Sequence, residues 1–211
     1  MIKQFYIVRH GQTEYNLKRL VQGKGIDADL NGLGQEQASR LYEAYKHISF
    51  DKCYTSSLKR TTQTVKHFLE AGLVSEPLSG LDEMGYGFFE GKEIDLHKID
   101  GKTVLDISNE WEAGNFEVKP SGGESLYDVQ QREREAFDYI LSNEDESVVL
   151  VCMHSRAIRI LLCTLLDLSF DRMKTFVPKN TGVSILNYDT DTKKFELESF
   201  NMADHLNGIK V

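Results

Sequence analysis

The hydrophobic and polar positions of this chain change period repeatedly, from short apolar runs to helical stripes and back. Lys3–Val8, apolar from Phe5 to Val8, predicts a buried strand. A polar, glycine-containing stretch, LVQGKGIDADLNGLG, follows it. Leu33, Ala38, Leu41 and Tyr45 then recur at helical spacing. Lys52–Ser56 (KCYTS) predicts a short strand, and Leu58, Thr61, Val65, Phe68 and Leu69 a second helix closed by Gly72. Val74–Leu78 reads as a weak strand, and the pattern from Gly85 to Ser121 is less regular. Leu126, Val129, Ala136, Phe137 and Ile140 mark a longer helix after SGGES. Ser147–His154 (SVVLVCMH) is the clearest buried strand and runs into the helix SRAIRILLCTLL. The final stretch, GVSILNYDTDTKKFELESFN, predicts a β-hairpin turning at Asp189–Thr192.

Strands alternating with helices predict an α/β fold: a three-layer sandwich with a mostly parallel central sheet flanked by helices. The polar residues after Val8 and after Met153 then lie at carboxyl ends of strands, the edge that holds the ligand crevice in open α/β sheets. A length of 211 residues suits one domain over 1–211, with a cap-like insertion near 85–121 that carries the single tryptophan, Trp111. The chain carries no internal repeat, low-complexity tract or linker.

Composition narrows the partners. Apolar content of 40% and charged content of 27% are ordinary for a globular protein. A net charge of −8 disfavours nucleic acid and anionic membranes as partners, since both favour a basic face. It does not oppose a small anionic substrate, because charges are screened beyond ~8 Å at physiological salt. The stretch MIKQFYIVRHG has neither the apolar core nor the small-residue cleavage site of a signal peptide. No apolar run approaches the ~20 residues that span a bilayer. Cys53, Cys152 and Cys163 sit in apolar or mixed segments without paired spacing, which predicts reduced, buried thiols and a cytoplasmic location. Nothing in the sequence bears on oligomeric state.

Four segments carry candidate chemistry. Arg9 and His10 end the first strand, before Gly11, Gln12, Thr13 and Asn16; alone, they also suit a surface cation and a hydrogen-bonded structural histidine. His154 ends the second strong strand, and two buried strands delivering histidines to one edge favour function. Arg156 and Arg159 follow it against the helix dipole, which fits either a nearby anion or solvated arginines. Arg60 lies near a helix start among hydroxyl residues. Asp82 and Glu83 precede an aromatic, glycine-rich loop, where a carboxyl held against Tyr86, Phe88 or Phe89 would serve as a general acid. Other templates fail. GYGFFEGKE has Tyr86 and Glu93 at key P-loop positions, and no H-E-x-x-H or paired C-x-x-C occurs. No metal or cofactor is expected.

With Arg9-His10-Gly11, Arg60, Glu83 and His154 in this order, the chain resembles the histidine phosphatase (phosphoglycerate mutase-like) superfamily. The likeness runs through VRHGQTEYN, QGKGIDADLNGLGQEQA, TSSLKRTTQT, LDEMGYGFFEGK, PSGGES and NTGVSIL. It implies that His10 attacks phosphorus as a neutral imidazole and forms a phosphohistidine. Arg9, Arg60 and His154 would surround the transferring oxygens, and Glu83 would protonate the leaving oxygen. Asn16 and the Ser155 N–H would complete the cradle, with Gln22 and Gly23 at its mouth. Ser155 stands where the superfamily usually has glycine, and Ser57 where proline is common, which predicts a crowded cradle and a looser turn.

The short middle segment without a proline run resembles the phosphatase branch. The resemblance therefore implies a metal-independent phosphatase of a small phosphorylated metabolite, with a cofactor-dependent phosphoglycerate mutase or a catalytically silent phosphate-binding protein as alternatives. Substrate specificity is expected in Gly85–Ser121 and in residues such as Lys24, Tyr86, Phe88 and Trp111.

Overall fold

The computed structural model describes residues 1–209. In chain order its elements are β1 (Ile2–Arg9), α1 (Glu14–Leu17), α2 (Gly32–Tyr45), β2 (Lys52–Thr55), α3 (Lys59–Glu70), β3 (Ser75–Pro77), α4 (Val104–Glu112), α5 (Leu126–Ser142), β4 (Val148–Met153), α6 (Ser155–Leu165), β5 (Val183–Asp189) and β6 (Lys194–Met202). The strands form one sheet in the order β3-β2-β4-β1-β5-β6. β1, β2, β3 and β4 pair in parallel, whereas β5 and β6 run antiparallel as the hairpin.

The period-2 alternation of β1 assigns its two faces. Phe5 and Ile7 join the core formed with α5 and α6, which includes Phe137, Ile140, Ile158 and Leu161. Tyr6 and Val8 join the core formed with α2 and α3, which includes Leu41, Val65 and Phe68. The sheet is thereby the middle of three layers. Cys53, Cys152 and Cys163 are free and buried, as their apolar surroundings imply, and burial pushes the Cys53 thiol up to about 12 and the Cys163 thiol up to about 11. Among the described residues, no helix is long and apolar enough to cross a membrane.

The middle segment is more ordered than its pattern suggests. Thr103 and Asp106 form a reciprocal capping box that starts α4. Val104, Ile107 and Trp111 then face a separate apolar cluster with Phe89, Leu126, Ile160 and Met173. A nine-residue helix carries too few periods to stand out in an 11–18-residue window, and its cap was the readable signal.

Register delivers the chemistry. Arg9 pairs with Met153 across β1 and β4, so His10 and His154 leave adjacent strands side by side. The exit from β1 lies on the start of α2, where two glycines meet: a Cβ on Gly11 would stand 2.7 Å from the Gly34 carbonyl oxygen, and one on Gly34 only 2.1 Å from that of Gln12. Thr13 and Asn16 close a capping box that turns the chain into α1.

Candidate active site

A cavity of about 430 Å³ opens at the carboxyl edge of β1 and β4. Arg9, His10, Asn16, Gln22, Glu83 and Ser155 all line it. Gly23, Arg60 and His154 do not; Arg60 and His154 are completely buried, close to the His10 ring.

His10 is 3% exposed, and its Nδ1–H donates to the Gly11 carbonyl at 2.7 Å. That bond selects the tautomer and leaves the Nε2 lone pair unprotonated. Burial, then the Arg60 and Arg9 charges, hold the imidazole well below its ordinary pKa and so keep it neutral. The His154 ring lies 5.1 Å away, centroid to centroid. Its Nδ1 accepts from Arg60 Nε at 3.1 Å, so its Nε2–H donates to Ser56 Oγ at 2.7 Å. Both ring nitrogens therefore have protein partners, and His154 orients Arg60 rather than facing the cavity.

Arg60 also donates from Nη1 to the Ile26 carbonyl at 2.7 Å and from Nη2 to the Gly23 carbonyl at 3.4 Å. Each Nη carries a second N–H. Gly23 thus supplies an acceptor behind the cavity wall instead of a mouth, and its missing Cβ makes room for the Glu90 carboxylate, whose oxygen would stand 2.2 Å from it. Arg9 donates from Nη1 to the Pro178 carbonyl at 3.0 Å, and burial pushes its pKa down to about 10.

Two buried donors at this cavity have no partner among the described residues: Arg9 Nε and Gln22 Nε2. The Gln22 amide is oriented by its other end, where Oε1 accepts from Thr13 Oγ1 at 2.7 Å. Asn16 Oδ1 accepts from the Thr13 N–H and from Asn180 Nδ2, which leaves Asn16 Nδ2 as a donor. Unpaired buried donors are costly in the absence of an anion.

Glu83 caps α6. Its Oε1 accepts from the N–H groups of Met84 and Ala157, both at 3.0 Å, and its Oε2 accepts once, from the Arg156 N–H at 3.2 Å. The first N–H groups of a helix lack helical acceptors, so the Ser155 N–H remains for another anion. Ser57 is not loose: its N–H and Oγ both bind the Asp82 carboxylate at 2.7–2.8 Å, which replaces the rigidity of a proline.

The expected specificity residues divide. Tyr86 lines the cavity. Lys24 instead pairs with Glu124 at 2.7 Å, Phe88 is 69% exposed outside it, and Trp111 is buried in the apolar cluster. Sequence reasoning missed Asn180, whose Nδ2 donates to the His10 carbonyl at 2.8 Å, and Lys174. Both reach the site from segments remote in sequence; Asn180 opens the NTGVSIL stretch, which was given no role in the site, and Lys174 has no local pattern. Arg156 and Arg159, left undecided by the sequence, line the outer part of the cavity.

The chain matches the histidine phosphatase superfamily (branch 1) over residues 5–202. It is 32% identical to a broad-specificity phosphatase of Saccharomyces cerevisiae across 97% of this chain and 88% of that protein. It is 27% identical to a Proteus mirabilis protein named "Probable phosphoglycerate mutase GpmB" across 99% of this chain and 97% of that one. The α-ribazole phosphatase of Shigella flexneri has the same fold, with a TM-score of 0.83 covering 99% of this chain and 100% of that one; its 23% identity extends the likeness no further. A match over nearly the whole length, on a sheet that brings two histidines and two arginines to one edge, places this chain in the histidine phosphatase superfamily.

Proposed function

We propose that this chain is a metal-independent phosphatase that hydrolyses a small-molecule phosphomonoester through a phosphohistidine at His10. The observation that carries the reading is the tied Nδ1 of His10, which leaves Nε2 as a neutral nucleophile beside the unpaired donors Arg9 Nε and Gln22 Nε2.

In this reading Nε2 attacks phosphorus, the P–O ester bond breaks, and the leaving oxygen takes a proton from the Glu83 carboxyl. Oε2, with its single hydrogen bond, is the oxygen that carries that proton. A water then gives a proton to Glu83 and attacks phosphorus; the P–N bond breaks, releasing inorganic phosphate and neutral His10. Arg9, the second N–H groups of Arg60, Asn16, Gln22 and the Ser155 N–H hold the transferring oxygens, with His154 fixing Arg60. Guanidinium charge there stabilises the equatorial oxygens, the part a metal plays in other phosphoryl-transfer sites.

The reading takes residues 1–211 as one domain, with 85–121 as its cap. A cytoplasmic setting is supported by the buried free thiols, and the absence of a nucleic-acid partner by the charge of −8. Purified protein is expected to hydrolyse p-nitrophenyl phosphate in EDTA, with an acid-labile phosphohistidine trapped on the wild type. His10→Ala should reduce turnover at least about 10³-fold and abolish the trapped species. Substantial hydrolysis by that variant would overturn the assignment.

The likeness to the Proteus mirabilis protein favours a second reading, a cofactor-dependent phosphoglycerate mutase. The same phosphohistidine would then return its phosphoryl group to a second hydroxyl. Transfer between phosphoglycerate positions that is stimulated by 2,3-bisphosphoglycerate and outpaces phosphate release would decide for it.

A further inference from the structure

The reaction sketched above depends on where Glu83 holds its carboxyl, yet Glu83 lies in a loop. A single 3-10 turn, Ser79–Leu81, precedes it, and Gly85 follows two residues later. A loop of this kind must find partners for its backbone outside itself. The carbonyl groups of this one converge on a single side chain. Arg132, in the second turn of α5, donates from Nη1 to the Gly80 carbonyl at 2.9 Å and to the Asp82 carbonyl at 2.8 Å. From Nη2 it donates to the Glu83 carbonyl at 3.2 Å. Its other N–H groups go to the Glu124 carboxylate, from Nε to Oε1 at 3.1 Å and from Nη2 to Oε2 at 3.2 Å. A guanidinium has five N–H groups, and here each has an acceptor. Glu124 closes the clasp on the far side of Glu83: its Oε2 accepts from the Gly85 N–H at 2.7 Å, and its own N–H donates to the Gly85 carbonyl at 2.9 Å. Glu124 belongs to the PSGGES stretch, to which the reaction gives no other part.

This is more than a surface ion pair. The side chains of Arg132 and Glu124 are only 17% and 13% exposed, so charge-assisted hydrogen bonds between them are weakly screened. The loop is also pressed against α5. A Cβ on Gly80 would stand 2.5 Å from the Arg132 carbonyl oxygen, and one on Gly123 would stand 2.5 Å from that of Gly85. Arg132 itself does not line the cavity. It holds the main chain from which the Glu83 carboxyl reaches the N–H groups of Arg156 and Ala157.

We propose that Arg132 is the positioning residue of Glu83: its fork fixes the carbonyls of the loop, and with them the place of the Glu83 Oε2 proton. The inference rests on the phosphatase reading, in which that proton passes to the leaving oxygen as the P–O bond breaks. Lysine is no substitute, because an ammonium keeps the charge beside Glu124 but lacks the planar fork. Without the fork, ester cleavage should slow most where the leaving oxygen is most basic, since such esters depend most on the proton.

Phenyl phosphate and p-nitrophenyl phosphate, which differ by one nitro group, make the test. Phenolate is much the more basic leaving group, and kcat/KM reports the steps up to cleavage of the ester bond. Arg132→Lys should lower kcat/KM for phenyl phosphate by about tenfold more than for p-nitrophenyl phosphate, and Arg132→Met by more still. In a Glu83→Gln background the same substitutions should leave the ratio of the two esters unchanged, because the proton is already missing. Arg132→Lys carries the comparison if Arg132→Met does not fold. Equal losses on both esters overturn the proposal, as would follow if Arg132 acted through Asp82 and Ser57 on Arg60. The same change of ratio in the Glu83→Gln background overturns it as well. If the wild type hydrolyses neither ester, the phosphatase reading fails and amide hydrogen exchange decides the positioning. Exchange at Arg156 and Ala157 should then quicken in Arg132→Lys relative to the rest of α6. Exchange that is unchanged there, or faster along all of α6 alike, overturns it.

Discussion

The floor and the outer wall of the cavity are both cationic, but they are built on opposite rules. At the floor, charge is fixed by backbone: Arg60 donates to two carbonyls and to His154, and Glu83 accepts from three N–H groups. These groups are set by strand ends and helix starts, the most rigid parts of the fold. At the outer wall, charge is fixed mainly by side chains: a tryptophan face, a tyrosine hydroxyl and a serine hydroxyl hold Arg156. A backbone-fixed floor suits chemistry common to many substrates, because altering one side chain leaves the remaining geometry in place. A side-chain wall suits selection, because single substitutions can redraw it.

The strongest way to break this contrast is at Arg60. Arg60→Met removes the guanidinium while leaving the carbonyls of Ile26 and Gly23 and the Nδ1 of His154 without their donor. Loss of oxygen stabilisation should lower kcat by about 10²–10³-fold, and Arg60→Lys should recover little, since an ammonium cannot reproduce the fork. A large rise in KM with kcat intact would show that Arg60 binds substrate rather than stabilising the transition state. At the outer wall, Trp111→Ala should cost roughly 3–5 kcal/mol in stability, measured by chemical denaturation, because a fully buried tryptophan is replaced by a void. Its kinetic effect should fall more on KM than on kcat, as Arg156 loses the ring that carries it. A fall confined to kcat would erase the distinction between the two regions.

The same contrast explains what was legible in the sequence. Strand β1 and strand β4 are continuous apolar runs, so the delivery of His10 and His154 to one edge follows from the pattern. Arg60 and Glu83 stood in motifs that the superfamily resemblance supplied; their spacing alone did not identify them. The direction in which His154 faces was not legible, because it depends on a hydrogen bond to Ser56, a residue 98 positions away. Trp111 and Phe88 lie in one irregular stretch, and nothing local separates the buried ring from the exposed one. Arg156 looked the same as any helix arginine until α4 and the loop carrying Tyr86 were placed around it.

Glu133, a buried carboxyl away from the cavity, gives the smallest expected effect. It lies on α5 with no exposed surface, and neither carboxylate oxygen has a partner among the described residues. Burial holds its pKa well above the usual carboxylate range, so the folded protein keeps it protonated where the unfolded chain, near 4.3, releases the proton. The folded state therefore binds more protons, and the contribution of Glu133 to stability is fully present below the unfolded pKa and is lost as pH rises through the folded one. Glu133→Leu removes both the unpaired polar atoms and this titration. Its stability should exceed that of the wild type by roughly 1–3 kcal/mol at pH 8, with a smaller gain at pH 5. Denaturant midpoints at the two pH values read the difference directly. A gain equal at both would mean that the carboxyl does not hold its proton against the pH gradient. A loss at both would mean that the carboxyl is paired in solution.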